Sequence, residues 1–583
     1  METNNHSLRA AYFSMEVALD PAIPTYSGGL GILAGDTLRS FADMGLPVAG
    51  VTLLYRQGYF EQHLDAHGNQ TESPSQWEPS LALELKEPLA SIQIEGRTVL
   101  VRAWQFTIHG YGGHILPVYL LDTAHPENSD FDQTITNRLY AGDPHYRLCQ
   151  EAVLGIGGVE ILRQLGHTKI FTYHMNEGHA ALLTLALLEK QLEERATKEV
   201  VPFDFDNLRS KCVFTTHTPV PAGHDRFPKD LVHSVLGAER VALLEKLECF
   251  NDATLNMTHL ALETSRYVNG VAMKHGAVSR GMFPEYSIRA ITNGVHAGTW
   301  TSPAFQDVFD RNIPEWRRDN LYLRYAIGIP LQEVREAHAQ AKHELADTIF
   351  RLTGVQLDES VMTIGFARRA ASYKRMDFLF SNLERLKWIA KHVGQFQIIY
   401  AGKAHPHDEP GKALIRRVFK AVYALRGAVR VVYLQNYEMK LARLLTSGVD
   451  LWLNTPQRPQ EASGTSGMKA ALNGVPSLSI LDGWWHEGHV EGATGWSIGH
   501  AELMDSTGEE IASLYDKLEH VILPLYYGRK DAYVEVMRST IALNGSFFNT
   551  QRMVAQYVMN AYFPELETMF AAEPSEDEDV SKV

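Results

Sequence analysis

A lysine at the head of a helix, behind a run of small and hydroxyl residues, is the pattern of Glu461-Ala-Ser-Gly-Thr-Ser-Gly-Met-Lys469. Gly464 and Gly467 let the backbone turn its N–H groups toward a ligand, and Ser463, Thr465 and Ser466 add hydroxyl donors. The following Met468–Leu472 stretch predicts a helix whose N-terminus favours negative charge and which stops at Asn473-Gly474. The segment reads as an anion cradle with an amine built in, or else as a well-capped surface helix with a solvated lysine. A second segment, Phe366-Ala-Arg-Arg-Ala-Ala-Ser-Tyr-Lys-Arg375, sets four cations within eight residues directly after a strand. Alone it reads as a salt-bridged surface; beside another anion cradle, in an acidic chain, it reads as a phosphate pocket. Near the N-terminus, Tyr26-Ser-Gly-Gly-Leu-Gly-Ile-Leu-Ala-Gly-Asp36 is a glycine loop leading into a helix, which by itself implies no more than a tight turn.

Other suggestive clusters read as structural. His405-Pro-His407-Asp408 and His486-Glu-Gly-His489 lack the spacing that sets two imidazoles on one helix face, so no metal is expected. Gly155-Ile-Gly-Gly158 lies in an apolar, helix-like pattern and predicts close packing rather than a dinucleotide loop.

The elements that must position these segments follow from a rhythm of short β-branched and aromatic runs alternating with helical patterns. The runs are Val51–Tyr55, Ile170–Tyr173, Cys212–Thr216, Val361–Phe366, Gln397–Ala401, Val429–Leu434, Val449–Leu453 and Ser477–Leu481. They predict an α/β chain of parallel sheets with crossover helices, in which ligands sit beyond the carboxyl ends of strands. Asn176-Glu-Gly-His179, His217-Thr-Pro, Asn293-Gly, Arg368-Arg369, Gly402-Lys403 and Tyr437 all follow such runs, which suggests one long cleft. With 583 residues, 45% of them hydrophobic, the chain is expected to form two doubly wound, Rossmann-like lobes divided near Ile288–Trp300. The expected spans are 1–290, 291–570 and an acidic, solvated tail at 571–583. Leu331–Leu352 predicts a long helix, and Phe547–Phe563 a late helix that crosses back onto the first lobe. A net charge of −15 argues against nucleic acid or an anionic membrane as partner. With no signal pattern, no apolar run of about 18 residues and only three scattered cysteines, a cytoplasmic protein is expected.

Glu-Ala-Ser-Gly-Thr-x-x-Met-Lys followed by Asn-Gly closely resembles the pyridoxal-phosphate attachment segment of the α-glucan phosphorylases, in which the lysine, here Lys469, carries the cofactor as a Schiff base. Arg-Arg-x-x-x-Tyr-Lys-Arg resembles that family's phosphate-binding segment. This match implies that Arg369 and Lys374 hold the substrate phosphate, that Arg368 lies near the cofactor phosphate, and that Tyr373 touches the sugar. Ala371-Ser372 departs from the His-Glu usual in the animal and plant enzymes. The glycine loop resembles that of phosphorylases and of nucleotide-sugar-dependent glucan synthases alike, where the backbone of Gly28, Gly29 and Leu30 closes on glucose and phosphate. Further matches imply sugar contacts at Glu177, His179, His217, Asn293, Glu461, Ser463 and Gly464. They imply cofactor contacts at Trp300, Tyr437, Thr465 and Ser466. The resemblance runs from about Phe13 to the last helix and is to the compact bacterial form, without the N-terminal regulatory extension of the long animal enzymes.

The resemblance implies a GT-B type architecture, with the two lobes facing a central cleft. It also implies phosphorolysis of an α-1,4-glucan such as glycogen or maltodextrin, in which inorganic phosphate releases glucose 1-phosphate with retained configuration. The expected cofactor is pyridoxal 5'-phosphate, whose own phosphate does the work. Oligomeric state stays open, a homodimer included. Two other classes remain: a nucleotide-sugar-dependent glucan synthase, and a catalytically idle glucan-binding relative.

Overall fold

The structure, a computed structural model, describes residues 8–220, 223–500 and 507–562. Two sheets organise the chain. The first has nine strands in the order Ile288–Ala290, Tyr267–Gly270, Cys212–Thr215, Thr172–Asn176, Ala10–Ser14, Val48–Leu53, Ile115–Asp122, Arg97–His109 and Glu84–Ile94. All neighbours are parallel except the last two pairs, which form an antiparallel meander. Ala10–Ser14, Val48–Leu53 and Thr172–Asn176 are buried at every position, as strands covered on both faces must be.

The second sheet runs Arg430–Leu434, Phe396–Ala401, Met362–Ala367, Leu451–Asn454, Ser477–Ile480 and Gly495–Ile498, all parallel. In chain order this is third, second, first, fourth, fifth and sixth, the dinucleotide-fold order, whose crevice opens where the winding reverses. That reversal lies between Met362–Ala367 and Leu451–Asn454, so Arg368 and the loop leading to Lys469 leave the sheet side by side. The eight runs expected as strands all coincide with observed strands to within a few residues. The meander Glu84–Asp122 has no counterpart among those runs. Its outermost strand, Glu84–Ile94, alternates exposed with more buried positions and carries Lys86 and Glu87, which marks a solvated edge.

The expected long helix spans Leu331–Thr353 and ends on Gly354 in the left-handed conformation (φ 71°). The expected late helix starts at Thr550, capped by the Asn549 side chain, and returns to the first lobe. There Thr550 Oγ1 meets Ser40 Oγ at 2.6 Å, Tyr557 OH meets Thr215 Oγ1 at 3.0 Å, and Tyr562 OH meets His174 Nδ1 at 2.7 Å. Phe563 and the acidic tail 571–583 lie outside the described residues. A second junction is the hairpin Glu61–Leu64/Gln70–Ser73 of the first lobe. Gln62 Nε2 donates to Gly402 O and Gln70 Nε2 to Ala404 O, both at 2.9 Å, while Lys412 pairs with Glu72 at 3.0 Å. The Gly155–Gly158 run packs tightly as expected: a Cβ on Gly155 would meet the Leu183 amide at 2.5 Å, and one on Gly158 the Phe13 ring at 2.6 Å.

Beneath the second sheet, Asp450 binds Lys342 Nζ at 2.7 Å, His338 Nε2 at 2.9 Å and the Thr363 amide at 2.7 Å. Burial alone would raise the Asp450 pKa, but Lys342 and His338 outweigh it and hold the carboxyl at about 2. A depressed carboxylate adds stability above its unfolded pKa of about 4, and that contribution is lost as pH falls toward 2. Lys342→Met is therefore expected to cost about 3–5 kcal/mol by leaving Asp450 buried and less compensated. The measurement is the urea midpoint at pH 7, and the deficit relative to the unaltered chain should shrink in acid.

Candidate active site

A cavity of about 620 Å³ opens between the two sheets, lined by the residues that leave their carboxyl ends. Of the site residues that the resemblance implied, all but Trp300 line it: Gly28, Gly29, Leu30, Glu177, His179, His217, Asn293, Arg368, Arg369, Tyr373, Lys374, Tyr437, Glu461, Ser463, Gly464, Thr465, Ser466 and Lys469. Trp300 forms the wall behind Lys469, whose Nζ sits 3.7 Å from the indole centroid.

The lysine loop is short and tightly specified. Gly464 has φ 82°, which a side chain rarely adopts, and a Cβ on Gly467 would strike the Trp484 ring at 2.7 Å. The helix runs Ser466–Leu472 and ends at Asn473, whose side chain ties it to the wall: Nδ2 donates to Trp300 O at 2.9 Å and Oδ1 accepts from the Ser302 amide at 2.7 Å. Lys469 is 6% exposed, and among the described residues no acceptor hydrogen-bonds its Nζ. Burial pushes its pKa down to about 8, partly opposed by Asp36. The solvated-lysine reading is therefore excluded by geometry.

The basic segment divides. Arg368 and Lys374 converge on Glu461: Lys374 Nζ lies 2.5 Å from Oε2, and Arg368 bonds the same oxygen as well as Asn454 Oδ1. Burial would raise the Glu461 pKa, but the two cations hold it at about 2. The Glu461 amide in turn donates to Asp482, which burial lifts to about 6. Arg369 instead stays exposed to the cavity beside Tyr373 and Tyr59. Arg375, fourth in the cluster, turns away to Glu510 at 2.8 Å and to the carbonyls of Thr455 and Pro456.

Opposite, Glu177 accepts from the Gly178 and His217 amides (3.0 and 2.8 Å) and from Thr218 Oγ1. Asn176 Oδ1 meets His217 Nε2 at 2.6 Å. Burial, only partly offset by Glu177, drives the His217 pKa to about 4, so the ring is neutral at pH 7. In the glycine loop, Gly28 N–H is already taken by Glu16 Oε2 at 3.1 Å, and added Cβ atoms on Gly28 and Gly29 would meet nothing within 4 Å. Those glycines keep space open rather than making a strained turn. Buried polar atoms without partners face this region: Ser463 Oγ, Asn293 Oδ1 and His179 Nδ1.

Several lining residues had no signal in the sequence. Glu16, two residues past a strand, braces the glycine loop and Tyr140 OH (3.0 Å). Arg147 and Asp225 are lone polar residues, one on a helix and one in a loop. Arg552, on the returning helix, donates to the carbonyls of Thr292 and Asn293 at 2.6 and 3.0 Å and so fixes the asparagine. Of the two histidine pairs, His489 bonds Glu491 two residues on, whereas His405 lines the cavity and meets Tyr140 O of the first lobe at 3.3 Å.

The profile of the carbohydrate phosphorylases matches residues 15–108 and 220–491. The chain belongs to the carbohydrate phosphorylase family. It is 39% identical to maltodextrin phosphorylase of Thermococcus litoralis over 94% of its own length and 70% of that protein. It is 37% identical to glycogen phosphorylase of Mycobacterium tuberculosis (95% and 70%) and 32% to that of Aquifex aeolicus (94% and 85%). The two-lobed α/β architecture is thus that of the phosphorylase family, as the strand rhythm and the lysine loop implied. The matched spans contain the glycine loop, Asn293, the cationic segment and Lys469. Glu177 and His217 of this phosphorylase-family chain fall outside them, and the fold brings both to the same cavity.

Glu461→Ala leaves Arg368 and Lys374 buried without their counter-charge, an expected cost of about 3–5 kcal/mol. Millimolar inorganic phosphate should raise the melting temperature of this variant more than that of the unaltered chain. Equal shifts would show that the anion does not enter between these cations.

Proposed function

We propose that the chain is an α-1,4-glucan phosphorylase that transfers the non-reducing-end glucose of glycogen or maltodextrin to inorganic phosphate. The observation that carries the reading is a buried amine, without a hydrogen-bond partner among the described residues, that shares one cavity with the cations Arg369 and Lys374. The names of the relatives point the same way. We take residues 1–290 as the sugar-receiving lobe and 291–570 as the lobe of phosphate and cofactor, because the first sheet ends at Ala290 and the second begins at Met362. Among the described residues no helix is long and apolar enough to cross a membrane, and Cys149, Cys212 and Cys249 are free and buried, in keeping with work in the cytoplasm.

The residues fit pyridoxal 5'-phosphate. Lys469 would carry it, Trp300 and Tyr437 would flank it, and Arg368 with the backbone at Thr465–Ser466 would hold its phosphate. Bound there, it supplies that phosphate as a proton-exchanging neighbour of the substrate anion. Arg369 and Lys374 hold the substrate phosphate and offset the repulsion between two anions, where a low dielectric makes each charge count. Asn293 Oδ1, Ser463 Oγ and Glu461 meet sugar hydroxyls, and Glu177 orders the His217 amide and Thr218 beside them. The inorganic phosphate gives its proton to the glycosidic oxygen, the C1–O bond breaks, and a phosphate oxygen bonds C1 on the same face. Neutral His217, fixed by Asn176, presents its carbonyl to the developing cation. Glu461, ionised between two cations, is unsuited to act as an acid, so this site does not work as a glycosidase carboxyl pair.

The test is a panel in which the protein receives maltodextrin with inorganic phosphate, ADP-glucose or UDP-glucose in turn, with and without pyridoxal phosphate. Glucose 1-phosphate should form from phosphate alone, and elongation from a nucleotide sugar would establish the synthase reading. Arg369→Ala should raise the phosphate KM roughly tenfold to a hundredfold, the worth of a charge-assisted contact of about 1.5–3 kcal/mol, while glucan binding and cofactor content hold. Lys469→Ala should lose both the bound pyridoxal absorbance and product formation. A borohydride-trapped pyridoxyl group on another lysine would contradict the assignment.

A further inference from the structure

Behind the lysine wall lies a carboxylate that no part of the mechanism uses. Asp36, on the helix Gly29–Asp43 that follows the glycine loop, is 0% exposed. Its Oδ2 accepts the indole N–H of Trp300 at 2.7 Å. Its other oxygen meets Arg39 Nη1 only at 3.4 Å, and that guanidinium is already committed to the carbonyls of Ala18 and Leu19. Asp36 therefore spends its charge largely on the indole, and the Lys469 amine sits 3.7 Å above the same ring.

An anion hydrogen-bonded to an indole N–H pushes electron density into the ring and deepens the attraction of its face for a cation. The geometry points to Asp36 as a positioning residue for Lys469: held against the Trp300 N–H, its charge makes the indole face the seat of the ammonium and keeps the amine aimed into the cavity. The inference rests on the proposed role of Lys469 as the cofactor-bearing lysine. It links the first lobe, through one side chain, to the reactive group of the second.

A plain tether would look similar in a static structure, but two features separate the roles. The Trp300 main chain is pinned independently by Asn473 from the lysine's own helix, so the wall does not need Asp36 to stay in place. Asparagine at position 36 keeps the acceptor oxygen and the shape while removing the charge. The charged groups around the amine are few. Asp36 and Arg39 come from the first-lobe helix, with Arg443 acting on Arg39 from behind, while Arg368 and Glu461 on the cavity side neutralise each other. Tyr437, lining the same cavity, is pushed by burial well above the physiological range and stays neutral.

The experiment follows the rate at which pyridoxal phosphate attaches to Lys469 in cofactor-free protein between pH 6 and 10, read by absorbance and located by borohydride trapping and peptide mass. Attachment needs the free amine, so the rate is half-maximal near the amine pKa. In Asp36→Asn the loss of the opposing charge lets burial act alone, and the midpoint should fall by about half to one pH unit. The plateau rate at high pH should fall as well, because the amine loses its seat. Trp300→Phe, which keeps an aromatic face but has no N–H for Asp36, should move the midpoint in the same direction and covers the case in which Asp36→Asn does not fold. An unchanged or higher midpoint in whichever variant folds would overturn the positioning role and leave Asp36 a tether. Failure of the unaltered chain to take up pyridoxal phosphate at Lys469 at any pH would overturn the proposed function, and this inference with it.

Discussion

Taking Arg368 and Lys374 out of water costs several kcal/mol per ion unless a counter-charge is built in, and Glu461 is that charge. The pairing dictates much around it. Arg368 must leave the end of the first strand of the second sheet, and Glu461 must lie in the loop after the fourth. This happens only where the winding of the sheet reverses and two crossover connections part. The Glu461 amide is then fixed by Asp482 from the loop after the fifth strand, so three strand ends converge on one carboxylate. With two cations neutralised, Arg369 is left exposed to the cavity.

The same logic accounts for Lys469. A buried amine with no acceptor has to be seated by something, and the indole face of Trp300 supplies a weak, non-competing seat. A strong ion pair there would hold the amine protonated and out of reach. Burial lowers its pKa toward 8, and the indole seat leaves it unbonded among the described residues, as attachment to an aldehyde would require.

The lobes meet around this cavity at two junctions of different kinds. The helix from Thr550 to Tyr562 lies on the first sheet and buries its tyrosines against His174 and Thr215, an apolar and hydrogen-bonded seam. The hairpin around Glu61–Ser73 holds the other lobe by side-chain amides on the carbonyls of Gly402 and Ala404, by further hydrogen bonds with Ala404, Gln435 and Asn436, and by the Lys412–Glu72 pair. Each such hydrogen bond is individually worth about 0.5–1.5 kcal/mol.

Much of this was legible in the sequence because the strands are continuous apolar runs and the polar residues that follow them have nowhere to go but the cleft. Glu177, His217, Arg368 and Tyr437 come to the cavity by that rule, and Lys469 is marked by the composition of its loop. The rule fails where the chemistry depends on tertiary pairing. The partnership of Lys374 with Glu461 spans 87 residues and leaves no local trace, and Asp36 reads as an ordinary helical aspartate until Trp300 is laid against it. Arg147 and Arg552 sit on helices at positions that look like solvated charge. The two outer strands of the antiparallel meander leave no such trace because they alternate buried with half-buried or exposed positions and so mix polar with apolar residues. The measurement that tests the central claim most directly is a phosphorus NMR time course of the holoprotein with maltodextrin and inorganic phosphate. The account predicts an α-glucose 1-phosphate resonance growing as the inorganic phosphate signal falls, abolished in Lys469→Ala. A phosphate signal that stays constant while maltodextrin is bound would contradict it.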